Sequence, residues 1–222
     1  MKIALDGPSG AGKSTVAKAL AKKLGIVYVD TGALYRTVGY FVRENGVSPK
    51  DADGVTALLP GISIELKYEN GVQKVYLNGE DPGDKIRQPD ISMYASAVSA
   101  IPSVRAFLLD TQRDIAGKNS VVMDGRDIGT VILPDAEVKI FLFASSEARA
   151  KRRYKELIQK GENVTYETVL AEMLERDSND RNRSVAPAIP AEDAIHMDNS
   201  NMSVEENVDA IIAIVKERVG TI

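Results

Sequence analysis

The sequence predicts an α/β fold in which helices cover both faces of a mostly parallel sheet. Short apolar runs at residues 2–5, 27–29, 121–123 and 138–143 have the length and composition of buried strands, and segments with helical spacing lie between them. Parallel strands need crossover connections, and these connections place helices on the sheet faces. The chain has 222 residues, which is enough for one sizeable core with small subdomains inserted into it.

The first and last helices carry clear end signals. Residues 13–24 have apolar side chains at helical spacing, and Gly25 follows where a helix C′ residue is expected. Near the other end of the chain, Ser203 and Glu206 have the spacing of a capping box. The sequence therefore predicts a helix directly after the first glycine-rich turn and an amphipathic helix at the end.

An antiparallel hairpin interrupts this alternation. Residues 62–68 and 72–77 alternate apolar and polar side chains on either side of Asn70 and Gly71. An Asn-Gly pair between two such runs is a strong hairpin signal. Two more helices are predicted after the hairpin, one on each side of Pro102. We interpret the hairpin as an insertion into the parallel core.

The composition argues against several classes of protein. The net charge is −4, which argues against a general nucleic-acid binder. The chain has no cysteine and a single histidine, His196, so we expect no disulfide, zinc site or histidine-based triad. We see no signal-peptide pattern and no apolar run of membrane-spanning length. We therefore expect a cytoplasmic protein that binds neither nucleic acid nor membrane.

A phosphate-binding motif follows the first strand. The segment from Gly7 to Ser14 matches G-x-x-x-x-G-K-[ST] in full, between a strand and a helix as the motif requires. Its glycines let backbone N–H groups converge on an anion, and the helix adds its positive N-terminal end. We expect Lys13 to reach the β- and γ-phosphates and Ser14 to ligate Mg²⁺. The predicted ATP-binding residues are Gly7, Pro8, Ser9, Gly10, Ala11, Gly12, Lys13, Ser14 and Thr15.

Arginines beside predicted loops and strand ends are candidates for binding further phosphate groups. A guanidinium is always charged and can hold a phosphate in two places. Arg126 is the strongest candidate because the string Asp124-Gly125-Arg126-Asp127 directly follows a buried strand, at the edge where open α/β sheets bind ligands. The other candidates are Arg36, Arg176, Arg181 and Arg183. For four basic residues on one regular helix we expect mostly a solvated face: Arg149, Lys151, Arg152 and Arg153.

At these residues the chain resembles the bacterial cytidylate kinase family over nearly its whole length. The resemblance rests on the phosphate-binding motif and on four further strings: Asp30-Thr31-Gly32-Ala33-Leu34-Tyr35-Arg36, Asp124-Gly125-Arg126-Asp127-Ile128-Gly129-Thr130-Val131, Val138-Lys139-Ile140-Phe141-Leu142, and Glu175-Arg176-Asp177 followed by Asp180-Arg181-Asn182-Arg183. It implies a three-layer P-loop fold with a central parallel sheet, an inserted antiparallel β region that binds the monophosphate, and a helical lid. One kinase unit would then span residues 1–222, and its three parts would be a core at about 1–60, 103–147 and 192–222, an insertion at about 61–102, and a lid at about 148–191.

The resemblance also implies an activity. It is the transfer of the γ-phosphate of ATP to CMP and dCMP in pyrimidine metabolism, with Mg²⁺ as cofactor and a monomer as the usual state. The implied catalytic residues are Lys13, Arg126, Arg181 and Arg183. The implied substrate contacts are Ser96, Arg105 and Asp127 to cytosine, Arg36 and Arg126 to the acceptor phosphate, Arg176 and Asp180 to the sugar hydroxyls, Arg181 and Arg183 from the lid, Tyr35 near the acceptor base, and the hydroxyl of Thr31, where relatives can carry serine.

Other readings of the phosphate-binding motif stay open at this point. A GTPase would carry an Asn-Lys-x-Asp motif, which the sequence lacks, and its one D-x-x-G match starts at Asp114 near the end of a predicted helix. An ATPase motor would use an apolar run ending in a carboxylate, which Asp124 matches loosely, but the arginines would then have no purpose. Adenylate, shikimate and dephospho-coenzyme A kinases share the motif and differ in the Asp-Gly-Arg-Asp string and the insertion. The sequence does not rank CMP, dCMP and UMP.

Overall fold

The computed structural model describes residues 1–69 and 72–220 of the chain. The strands of the described chain are β1 Lys2–Asp6, β2 Val27–Asp30, β3 Ile64–Glu69, β4 Val72–Leu77, β5 Val121–Gly125, β6 Val138–Phe143 and β7 Ile195–Asp198. The helices are α1 Lys13–Leu24, α2 Thr31–Glu44, α3 Ala52–Leu58, α4 Pro89–Val98, α5 Pro102–Lys118, α6 Ser146–Gln159, α7 Tyr166–Asn182 and α8 Val204–Val219.

Five of the strands form one parallel sheet in the order β2-β5-β1-β6-β7. β1 pairs in parallel with β5 on one side and with β6 on the other, so Asp6 lies opposite both Gly125 and Phe141. The carboxyl ends of β1 and β5 therefore meet at one edge of the sheet. The phosphate-binding motif leaves from the first of these strands and the Asp-Gly-Arg-Asp string from the second. The predicted α/β class is confirmed.

The chain divides into two compact units. The first unit comprises Met1–Tyr28 and Asn119–Ile222, and the second unit comprises Val29–Lys118. In the first unit, apolar side chains of the sheet pack against α1 and α8. The largest members of this core are Ile3, Leu5, Val16, Leu20, Val122, Val138, Ile140, Leu142, Val208, Ile211 and Val215. The sequence-based division into core, insertion and lid stays a prediction.

The second unit combines the hairpin with helices α2, α3, α4 and α5. β3 and β4 pair antiparallel with Ile64 opposite Leu77, as the alternating pattern predicts. The Asn70-Gly71 turn itself lies outside the described residues. α2 and α4 approach closely at Gly39, where an added Cβ would lie 3.0 Å from the backbone nitrogen of Ala95. This close approach lets the two helices bury a common apolar face.

The predicted positions of the end signals are confirmed. Gly25 ends α1 in a left-handed conformation with φ of 66°, and its N–H reaches the carbonyls of the last turn. The Ser203 hydroxyl accepts the N–H of Glu206 at 3.2 Å, and the Glu206 carboxylate accepts the N–H of Ser203 at 2.7 Å. Asp114 lies inside α5, which confirms that the D-x-x-G match falls within a helix.

Within the described part of the chain, no individual helix combines the length and the apolar composition needed to cross a membrane, although the bent pair Asp90–Val98 and Pro102–Lys118, at 94°, meets both criteria jointly.

Candidate active site

The phosphate loop, residues 7–14, needs its glycines for steric reasons. Gly7 has φ of +146°, and a Cβ there would lie 1.9 Å from the carbonyl oxygen of Leu142, which no side chain could tolerate. Gly12 precedes α1 with φ of 82° and has no side chain to cap the helix. The first N–H groups of α1 therefore face the loop, where they and the helix dipole favour an anion.

Lys13 is a buried cation at the start of α1. Only 6% of the residue is exposed, and its Nζ donates to the carbonyl oxygen of Pro8 at 2.8 Å. Burial, followed by the positive charge of Arg126, lowers the pKa of this ammonium group to about 7, against the opposing effect of Asp124. A lysine held in this way gains from a bound polyphosphate, because phosphate charge would offset the cost of its burial.

Ser14 lies beside a carboxylate near the end of β5. Its hydroxyl donates to Asp124 Oδ2 at 2.8 Å, and the hydroxyl of Tyr28 donates to Asp124 Oδ1 at 2.8 Å. Hydroxyl and carboxylate oxygens are the hard ligands that Mg²⁺ prefers. The structure therefore adds Asp124 to the predicted residue Ser14 as a candidate metal ligand. In the sequence, a carboxylate that ends an apolar run is the signal for this ligand, and it also fits the ATPase alternative.

Asp6, the last residue of β1, fixes the segment that follows the Asp-Gly-Arg-Asp string. Its two carboxylate oxygens accept the N–H groups of Ile128 and Gly129, each at 2.8 Å. These residues begin a π-helical turn, Ile128–Ile132. Burial raises the pKa of Asp6 to about 6, although the two N–H donors favour the charged form. The two loops at this edge of the sheet are thus joined through one side chain.

Arginines of the first unit converge on two carboxylates. Arg126 Nε lies 3.0 Å from Asp180 Oδ2, and Arg176 Nε lies 4.0 Å from the same oxygen. Arg183 Nη2 lies 3.4 Å from Asp127 Oδ1. Burial acts to raise the pKa of Asp180, but the surrounding guanidinium groups hold it below its usual range.

The first unit therefore brings together a group of site residues that the sequence predicted. Arg181 is exposed at the end of α7. A cavity of about 310 Å³ adjoins this group, and its lining includes Pro8, Arg126, Arg149, Asp180, Arg181 and His196.

The solvated face predicted for the basic helix α6 is wrong for two of its four residues. Arg149 is 6% exposed, and Arg152 donates to the carbonyl oxygens of Asn199 at 2.7 Å and Ser200 at 3.2 Å. Lys151 is exposed, and Arg153 pairs with a nearby surface glutamate. Helical periodicity marks arginine only as polar, whereas a guanidinium can be buried where carbonyl oxygens receive its protons.

The second unit holds the remaining substrate-binding candidates. Arg36 Nη2 pairs with Asp30 Oδ2 at 2.8 Å, and the other oxygen of Asp30 caps α2 by accepting the N–H of Ala33 at 3.0 Å. Gly32 makes room for this pair, because a Cβ there would lie 3.0 Å from Arg36 Nη1. Thr31, which is 3% exposed, begins the same helix. Arg36 is thus held in one orientation at the start of α2.

Tyr35 and Arg105 form a second polar group in this unit. The guanidinium carbon of Arg105 lies 5.6 Å from the centre of the Tyr35 ring, within range of a cation–π interaction. Arg105 is 8% exposed and donates to the carbonyl oxygen of Ser99 at 3.2 Å. Ser96 lies half-buried on α4, and its carbonyl oxygen accepts the hydroxyl of Ser99 at 2.8 Å. Buried, oriented donors of this kind can discriminate between polar ring systems.

The fold and the phosphate loop define a P-loop protein. A sequence model described as cytidylate kinase matches residues 3–217 of the chain. A cytidylate kinase from Fervidobacterium nodosum is 52% identical, over 98% of this chain and 97% of its own length. Another from Caldicellulosiruptor bescii is 50% identical, over 96% of this chain and 95% of its own. The chain belongs to the cytidylate kinase family.

A solved structure also resembles the chain as a whole. An uncharacterized protein from Eubacterium ventriosum superposes with a TM-score of 0.52 and 18% identity, covering 98% of this chain and 99% of that one. At this level of identity the likeness supports the fold alone. The sequence relatives, rather than the structural one, carry the family assignment.

Proposed function

We propose that the protein transfers the γ-phosphate of ATP to CMP and dCMP, giving ADP and the corresponding diphosphate. The observation that carries this proposal is the full-length match to cytidylate kinases, together with a phosphate loop whose lysine and serine are held for a nucleotide. ATP would lie against residues 7–15. The transferred group would be stabilised by Lys13 and by arginines, because phosphoryl transfer depends on positioning and charge compensation.

Mg²⁺ is part of the same proposal. The hydroxyl of Ser14 and the carboxylate of Asp124, 2.8 Å apart, fit a cation that takes few protein ligands and completes its shell with water and phosphate oxygens. When bound, the metal would neutralise developing phosphate charge. The chain's own contribution is to hold these two oxygens beside Lys13.

The proposal extends to the acceptor nucleotide and names candidate residues in each unit. We propose that Arg36 and Arg126 bind the acceptor phosphate, which would compete with the carboxylates that now pair with them at 2.8 and 3.0 Å. Arg176 and Asp180 would reach the sugar hydroxyls. Roles at the cytosine are proposed for Ser96, Arg105 and Asp127, with Tyr35 and Thr31 beside the acceptor.

The proposal also assigns roles to two larger segments. We propose that residues 61–102 form the monophosphate-binding insertion and residues 148–191 the lid, with Arg181 and Arg183 approaching the transferring phosphoryl group. A lid would exclude water, which otherwise would accept the phosphoryl group. A monomeric state and a cytoplasmic location belong to the same proposal.

A coupled assay that measures ADP release with ATP, Mg²⁺ and a panel of acceptors tests the proposal. The panel is CMP, dCMP, UMP, AMP, GMP and shikimate. We expect kcat/KM for CMP and dCMP to exceed that for AMP, GMP and shikimate by at least about 100-fold, because buried polar groups that lose their partners reject the wrong base. Equal rates across the panel would leave a phosphotransferase without cytidylate specificity.

A further inference from the structure

Both peptide groups of Ser9, in the middle of the phosphate loop, are bound by one pair of side chains from α6 and α7. The N–H of Ser9 donates to Asp177 Oδ1 at 3.0 Å, and its carbonyl oxygen accepts Arg149 Nη1 at 2.7 Å. The same Arg149 nitrogen lies 2.5 Å from Asp177 Oδ2. The three residues form a closed ring of hydrogen bonds, and we refer to Arg149 and Asp177 as the Ser9 clamp.

The Ser9 clamp is largely buried and has little freedom to rearrange. The side chains of Arg149 and Asp177 are 7% and 15% exposed. Arg149 is further fixed by Nε, which donates to the carbonyl oxygen of Ala144 at 3.0 Å. Removing two charges from water is costly, so a buried ion pair is weak evidence that it serves to stabilise the fold. Its geometry, which is directed at one loop residue, indicates a role in positioning.

The neighbouring loop residue packs against the same two helices. A Cβ at Gly10 would lie 2.9 Å from Met173 Cε on α7 and 3.2 Å from Arg149 Cβ on α6. The loop therefore rests directly on both helices at Ser9 and Gly10. Any shift of the clamp moves the loop backbone, since no flexible spacer lies between them.

We propose that Arg149 and Asp177 are positioning residues that hold the phosphate loop in the shape that receives the ATP phosphates. This inference rests on the proposed role of residues 7–15 in ATP binding. A loop that binds phosphate through converging N–H groups must have those groups oriented beforehand. Ser9 adjoins Pro8, whose carbonyl oxygen accepts Lys13 Nζ at 2.8 Å, so a displaced Ser9 also displaces the lysine's anchor.

Charge explains why the clamp contains both residues. Asp177 alone would place a negative charge next to a loop that binds phosphates, and this charge would repel them. Arg149 compensates the carboxylate while it takes the Ser9 carbonyl. The pair thus orders both peptide groups of Ser9 without adding net charge.

The test compares Asp177→Ala and Arg149→Lys with the wild-type protein. Lysine keeps the charge of Arg149, but one ammonium group cannot reproduce the guanidinium contacts to Ser9, Asp177 and Ala144 together. We expect both variants to raise the KM for ATP and the Kd of Mg·ATP by about 10- to 100-fold, because small displacements of binding groups have effects of this size. The KM for CMP should change less than threefold, since the clamp contacts the ATP loop.

The matched control is Arg153→Gln, which breaks the surface pair with Glu156 on the same helix α6. It should leave both KM values within twofold of wild type. Circular dichroism and thermal melting identify variants that fail to fold. If Asp177→Ala does not fold, Arg149→Lys decides the question.

Direct titration with Mg·ATP separates this inference from the proposed function. If the wild-type protein binds ATP but phosphorylates no cytidine nucleotide, the proposed function fails, and the ATP affinity of the variants still tests the clamp. If folded Asp177→Ala and Arg149→Lys bind Mg·ATP with wild-type affinity, the clamp has no positioning role. An equal rise in both KM values would also overturn the inference, because it indicates a general loss of structure.

Discussion

At the scale of single residues, the site is dominated by buried charges, and burial and neighbouring charges together set their pKa values. Lys13 and Asp6 have shifted pKa values for the same reason, which is burial, and the shifts have opposite signs because the two groups carry opposite charges. Asp180 is also buried, but neighbouring arginines lower its pKa instead. Burial thus outweighs the neighbouring groups at Lys13 and Asp6, whereas several arginines together outweigh burial at Asp180.

The pKa of Lys13 predicts a pH dependence of catalysis. The protonated lysine attracts phosphate, and in the free enzyme this form is lost as pH rises through about 7. We expect kcat/KM for ATP to fall as pH rises from 7 to 9. The kcat at saturating ATP should fall less, because bound phosphates favour the charged lysine.

A measurement of initial rates between pH 6 and pH 9, with constant ionic strength and excess Mg²⁺, checks this prediction. Ionisation of the γ-phosphate of ATP acts with the opposite sign, since it adds negative charge as pH rises. A kcat/KM that stays constant or increases between pH 7 and pH 9 would contradict the assignment. The variant Lys13→Met should reduce kcat by roughly 10²- to 10³-fold and abolish the lysine-dependent limb.

At the scale of elements, end signals in the sequence fixed where helices begin, and packing fixed what they cover. α8 starts with a capping box and buries Val208, Ile211 and Val215 against the sheet. In α6, by contrast, the sequence does not indicate what the helix contacts. Its charged residues indicate a solvated face, yet Arg149 and Arg152 donate to backbone carbonyls. The difference arises because a capping signal is local, whereas a carbonyl partner comes from a distant segment.

The capping box of α8 predicts a measurable effect on stability. The variant Ser203→Ala removes the side-chain acceptor for the N–H of Glu206 and should lower the free energy of unfolding by about 1 kcal/mol. For a chain of this size the melting temperature should then fall by roughly 2–4 °C. Thermal unfolding monitored by circular dichroism measures this fall in melting temperature. The control is Glu217→Ala, which changes an exposed residue of the same helix. A shift no larger than that of the control would show that the cap contributes little.

At the scale of the whole molecule, the site residues that the sequence predicts are distributed over two compact units. The phosphate loop, Asp124 and the arginines around Asp180 belong to the first unit, whereas Arg36, Ser96 and Arg105 belong to the second. Each unit has its own apolar core.

A ligand that binds the folded protein alone must stabilise it. We expect Mg·ATP at 100 times its Kd to stabilise the protein by about 2.7 kcal/mol. This stabilisation corresponds to a rise in melting temperature of roughly 5–10 °C. Differential scanning fluorimetry over a range of ATP concentrations measures the shift, and Lys13→Met is the control. An equal shift in this variant would show that ATP binds elsewhere.

Much of the site could be predicted because its chemistry is local in sequence. The residues from Gly7 to Ser14 are enough to predict the loop, since glycine spacing, lysine and the following helix together define a phosphate loop. Asp127 and Arg126 could be placed at the sheet edge because they follow a buried strand. The role of Asp124 could not be predicted in this way, because it depends on the hydroxyl of Ser14, which lies 110 positions away in the chain.

By itself the sequence determined the α/β class, the phosphate loop, the hairpin and the helix ends, because each depends on residues within a few positions of one another. Only the tertiary structure decided which polar groups meet. The pairing of Asp6 with Gly129 and of Ser9 with Asp177 joins segments more than 120 positions apart, and no periodic pattern records it. The physical reason is that burial and pairing of charges depend on what the fold brings close in space, which neighbouring sequence does not specify.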